Sequence, residues 1–127
     1  MISDKKFAID NFQNPWISDC PYLEVILTND TLDSKGSLQG IYAEHQETNG
    51  RTSWKSASKA IWYYPNWKEW FIGDFKDIGT ATYEIRSYGD YTDKSPSDVP
   101  YGEWNGSYDI TVQCKNDTGK ILSHILR

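Results

Sequence analysis

A chain of 127 residues suffices for one domain that buries roughly two thirds of its unfolded surface. The formal charge is −5 and the Lys and Arg are scattered, so the surface lacks the basic footprint that phosphate binding needs, and no nucleic-acid partner is expected. No apolar run reaches the length of about 18 residues that a membrane-spanning helix needs, so no membrane insertion is expected.

Aromatic residues make up 15% of the chain, so its core should rest on large rings rather than on many aliphatics. Residues 1–19 are polar, with isolated Phe7, Phe12 and Trp16, and read as an extended lead-in. They hold no apolar h-region, so no signal peptide is expected among them. Either the chain stays inside the cell or Met1 begins a mature fragment.

From Tyr22, Leu23, Val25 and Leu27 alternate with Glu24, Ile26 and Thr28, the pattern of a strand buried on one face. Residues 29–37 form a loop of Asn, Asp, Ser and Gly, and residues 38–42 a second strand. Asn49-Gly50 is a two-residue hairpin signal, since both positions accept positive φ. Residues 49–74 then read as a three-strand meander broken at residues 56–59 and 65–68, where Pro65 supplies a fixed φ and Asn66 tolerates the left-handed region.

Alternation places Ile61 and Tyr63 on one face of this meander and Trp62 and Tyr64 on the other, with Trp70 and Ile72 opposing Phe71. Tyr83 and Ile85 alternate with Thr82, Glu84 and Arg86 in a strand with one wet face. Residues 88–100 form the longest irregular stretch, residues 108–114 the closing strand, and residues 115–127 a polar tail ending in a short apolar run. The pattern predicts an all-β fold: a single antiparallel sandwich or barrel of about seven to eight short strands over residues 20–114, with Ile61, Tyr63, Ile72, Ile85, Ile110 and Val112 in its core.

Cys20 precedes the first strand and Cys114 ends the last, in period-2 phase with Ile110 and Val112, which points it at the core. A Cys20–Cys114 disulfide is therefore expected to tie the domain's ends, the alternative being two buried thiols. Such a bridge belongs to an oxidising compartment, extracellular or at the cell surface. Asn29, Asn105 and Asn116 each begin an N-x-Ser/Thr triplet in a turn-like segment and are candidate glycosylation sites.

The order Gly40-x-Tyr42, Asn49-Gly50-Arg51-x-x-Trp54, Trp62-Tyr63-Tyr64, Trp70-x-Ile72-Gly73, a Pro-containing loop, Trp104 and a final strand ending in Cys114 is similar to a small cysteine-bracketed module. Such modules occur in secreted or surface multidomain proteins of protists and marine invertebrates. The resemblance covers residues 20–114 and implies an extracellular building block without catalytic activity. The chain departs from the pattern in having Trp54 where Tyr is more usual, and in that no signal sequence is expected among residues 1–19.

Catalytic signatures are sparse, and no enzyme activity or cofactor is expected. His45 and His124 form no metal-binding pair, and Asp117-Thr118-Gly119 is a single copy of a triplet that aspartic proteases need twice. Loop carboxylates, Asp74 with Asp77 or Asp90 with Asp93 and Asp98, could offer oxygen ligands to calcium, but solvated loop charge is the simpler reading. Trp67, in the turn after Pro65, is the ring expected at the surface, with Tyr64, Lys68, Tyr88 and Tyr91 completing a binding patch. The chain thus reads as an extracellular protein-interaction or structural module in an adhesive, matrix or filament-forming assembly, with a protein partner or self-association. A glycan-binding, lectin-like domain is the alternative, and an enzyme comes third.

Overall fold

Period-2 patterning is realised as strands in the computed structural model, which describes residues 20–28, 36–105 and 109–115. The lead-in, Asn29, Asn116, His124 and the tail beyond Lys115 lie outside the described residues. The strands are β1 (Tyr22–Leu27), β2 (Gly40–Thr48), β3 (Arg51–Lys55), β4 (Lys59–Tyr64), β5 (Glu69–Asp74), β6 (Ile85–Arg86) and β7 (Ile110–Lys115). They form one antiparallel sheet in the order β6-β5-β4-β3-β2-β1-β7, curled into a half-barrel. Of the two expected architectures, this is the barrel-like one, with a single sheet rather than two stacked ones.

Up to β6 the strands follow as a meander. The chain then leaves the far edge and returns to pair β7 with β1, matching Leu23 to Cys114, Val25 to Val112 and Leu27 to Ile110. That register puts Cys114 opposite Leu23 near the end of the ladder, and Cys114 is disulfide-bonded to Cys20, with Cα atoms 5.4 Å apart across a sequence separation of 94. Cys20 is buried, whereas Cys114 is exposed, contrary to the expectation from its phase. It holds the inward phase but lies at the end of β7, past the rim of the core.

The concave face buries the rings and branched aliphatics that the alternation selects. Ile61, Tyr63, Ile72, Ile85, Ile110 and Val112 all lie in this core with Leu23, Val25, Trp54, Trp70 and Trp104. Trp54 and Trp70 have ring centroids 5.8 Å apart, Tyr63 and Trp70 5.2 Å. Two of these indoles also anchor loops: Trp54 Nε1 donates to Cys20 O at 2.9 Å, and Trp70 Nε1 to Lys94 O at 2.9 Å.

Two elements differ from the pattern. Leu38 belongs to a 3-10 turn, Gly36–Leu38, and the second strand runs instead from Gly40 to Thr48, with a register shift between Glu44 and Glu47. Tyr83 and Ile85, expected on one face, lie on opposite faces, because only Ile85 and Arg86 pair with β5. Gly73 permits this crossing: a Cβ there would sit 3.3 Å from both Tyr83 Cα and Glu84 N, so the chain passes where a side chain would stand.

Candidate functional site

The convex face carries a second, smaller apolar cluster. Ala60, Trp62 and Phe71 are buried in it, with Tyr64, Phe75, Ile78 and Tyr83 packed around them. Phe71 is its centre, stacked on Tyr64 at 4.9 Å and tilted against Tyr83 at 4.7 Å. This cluster runs along β4 and β5 toward the turn that joins them.

That turn spans residues 65–68. Trp67 N–H donates to Tyr64 O and Lys68 N–H to Pro65 O, both at 3.2 Å, two overlapping tight turns that suit Pro65 at the first loop position. The left-handed residue is Lys68, with φ 57°, and not Asn66 as the residue types indicate. A four-residue loop built on a type I turn must return the chain to the sheet at its last position, and that position is Lys68.

Trp67 is 44% exposed and meets the convex cluster, with its ring 5.4 Å from Tyr64, 5.7 Å from Phe71 and 6.3 Å from Tyr83, all edge-to-face. The Arg86 guanidinium lies 4.5 Å from the Trp67 ring centre and 4.2 Å from that of Tyr88, itself 41% exposed. Trp67, Arg86 and Tyr88 thus form one continuous surface group, with Tyr64 behind Trp67.

Glu69, buried to within 5%, holds the guanidinium. Arg86 Nη2 donates to Glu69 Oε2 at 3.1 Å, and Arg86 Nε and Glu69 Oε1 are 2.7 Å apart, close enough for an ion pair but without the alignment of a hydrogen bond. Gly89 N–H also donates to Glu69 Oε2, at 3.3 Å. The Arg86 backbone is clamped as well: Asn105 Oδ1 accepts its N–H at 2.9 Å, and its carbonyl accepts Asn105 N–H at 2.6 Å. Asn105, a candidate glycosylation site, is half-buried and serves here to fix β6.

Of the residues expected in the patch, Tyr64, Trp67 and Tyr88 share it, and exposed Lys68 flanks it on the turn. Tyr91 does not belong there. It is 8% exposed and packs in the concave core, while its N–H, donating to Lys68 O at 2.8 Å, ties the long loop to the turn. In the sequence Arg86 reads as an ordinary wet-face residue, and nothing in the residue types marks Glu69 as its partner. Their opposite charges meet only because β5 and β6 are neighbours, with Arg86 paired to Phe71, two residues from Glu69.

Four of the five loop carboxylates considered for calcium are engaged within the protein, and the fifth, Asp93, is exposed. Asp74 accepts from Lys59 at 2.5 Å, Asp77 pairs with Lys76 at 3.2 Å, Asp90 accepts from Thr92 N–H at 3.0 Å, and Asp98 accepts from Ser95 N–H at 2.8 Å. Among the described residues, no group of three His, Cys, Asp or Glu is placed to hold a metal. His45 packs its ring edge-to-face with Phe75 at 5.3 Å.

Fold and site together define a disulfide-closed all-β domain with an aromatic and arginine cluster on its convex face. No family model matches the chain, and no curated protein or solved structure matches it either.

Proposed function

We propose that the chain is an extracellular protein-interaction module, part of an adhesive, matrix or filament-forming assembly, and that it binds through the face of Trp67, Arg86 and Tyr88. The observation that carries this reading is their contact at the surface, since Trp, Tyr and Arg are the residues in which interface binding energy concentrates. The anchors are pre-ordered: the 65–68 turn fixes Trp67, and Glu69 fixes Arg86, so little freedom is lost when a partner docks. A disulfide between the chain's distant cysteines supports an oxidising, extracellular setting.

The glycan-binding alternative ranks second for a geometric reason. A sugar stacks on an open ring face, and both exposed rings of the patch already hold the Arg86 guanidinium close. The test is sedimentation of the chain at rising concentration, with binding of a tetramerised form to cell-surface and matrix preparations and to a glycan array. Trp67→Ala should weaken protein association by about 2 kcal/mol or more, roughly 30-fold. Unchanged association in that variant would sink the reading, and a glycan signal abolished by the same change would favour the alternative.

A further inference from the structure

We propose that Trp67 is a C-mannosylation site, its indole C2 (Cδ1) taking one mannose by a carbon–carbon bond. Two observations of different origin meet on this residue. The acceptor signal of secretory-pathway C-mannosyltransferases is Trp-x-x-Trp with the first Trp modified, and Trp67-Lys68-Glu69-Trp70 is its one occurrence in the chain. Trp16, Trp54, Trp62, Trp70 and Trp104 are followed three positions later by Asp19, Ala57, Pro65, Gly73 and Ser107.

The second observation is exposure. Among the described residues Trp67 is the one exposed indole, at 44%, while Trp54, Trp62, Trp70 and Trp104 are buried. The fold separates the two Trp of the motif: the turn leaves Trp67 at the convex surface, and β5 carries Trp70 into the concave core. A mannose at Trp67 has solvent to occupy, whereas the same group on any of the four buried rings would disrupt packing.

The chemistry balances with a polyprenyl-phosphate mannose as donor. Indole C2 attacks the anomeric carbon, the bond from that carbon to the phosphate oxygen breaks, and the phosphate leaves with the electron pair. Loss of the C2 proton restores the aromatic ring, and no oxidant is consumed. The added hydroxyls extend from the cluster that Arg86 closes, so the modification changes the chemistry of the proposed binding face. This inference rests on the extracellular reading, since the transferase and its donor belong to the secretory pathway, but not on what the face binds.

The test is the full chain secreted from animal cells behind an appended cleavable signal, digested with trypsin and sequenced by tandem mass spectrometry. The expected result is a peptide of residues 60–68 in which most molecules carry one hexose on Trp67, showing the cross-ring fragments of a C-glycoside and resisting N-glycosidase and alkaline elimination. Trp67→Phe, or secretion from cells lacking the transferase, should remove it. A peptide without hexose, or with the hexose on Trp62, would overturn the proposal if Cys20 and Cys114 are bridged and a co-secreted reporter with an established acceptor motif is modified. Recovery of the two cysteines as thiols would strike the extracellular reading and this proposal together. Loss of the hexose claim alone leaves the binding measurements untouched.

Discussion

Glu69 and Arg86 show how one buried charge organises a surface. The Glu69 carboxylate sits in β5 with little water around it, and its attraction to Arg86 offsets the cost of that burial. Breaking such a pair costs more than the pair contributes, because one ion is left buried and alone. Arg86→Met should therefore lower stability by about 3 kcal/mol. The double change Glu69→Leu with Arg86→Met should recover much of that loss. Urea-unfolding midpoints of the parent, both single variants and the double variant give the coupling. Additive effects would show that the two side chains act independently. Trp67→Ala belongs to the same cluster and removes its ring contacts with Arg86, Tyr64 and Phe71, so it should cost about 1 kcal/mol of stability. The exposure of Trp67 could be read from its place in a turn, but its partner Arg86 could not. Residue type does not say which strand lies beside which.

At the scale of elements, turns were the most legible feature. Asn49-Gly50 forms the hairpin between β2 and β3 with both residues at positive φ, and Asn49 Nδ2 adds bonds to Tyr63 O at 2.9 Å and Gly79 O at 3.1 Å. Alternation assigned the faces of β4 and β5 correctly and failed at Tyr83, where close passage over Gly73 breaks the period. Tyr91, expected in the binding patch from its place in the neighbouring loop, is buried instead, and a residue in an irregular loop has no period to betray its burial. One tie between elements is electrostatic. Lys59 in β4 donates to Asp74 in β5 at 2.5 Å and to Glu84 before β6 at 2.7 Å. The bond from Lys59 holds the Asp74 carboxyl below its ordinary value of 3.8, and bonds to Asp74 and Glu84 raise Lys59 above 10.5. The depressed carboxyl contributes stability in full above pH 3.8 and loses it as pH falls through the lowered value. The raised ammonium contributes in full below pH 10.5 and loses it as pH rises through the raised value. Lys59→Met should therefore flatten both the acid and the alkaline limbs of a stability–pH curve. An unchanged acid limb would remove Asp74 from this account.

For the molecule as a whole, the pattern of alternation announced an all-β fold of about this many strands but left sandwich and barrel equally open, since it reports which side chains face inward and not which strands are neighbours. The decisive fact is the return of β7 to β1 after a meander that ends at β6 on the opposite edge. It is a non-local pairing, and its hydrogen bonds must hold a closed loop of most of the chain. The Cys20–Cys114 bridge lies at the end of that pairing, where Leu23 meets Cys114, and constrains the same loop in the unfolded chain. In the chain-entropy account a loop of this length is worth about 4–5 kcal/mol. Reduction should lower the unfolding free energy by a few kcal/mol. Amides of β7 and of the β1 edge facing it should then exchange with solvent faster, well before those of β4 and β5, whose contacts do not depend on the ends. Hydrogen exchange with and without reductant reads both effects. If reduction shifted stability by less than about 1 kcal/mol and left β7 as protected as β4, packing of Ile110 and Val112 alone would hold the sheet closed, and the bridge would serve a purpose other than stability.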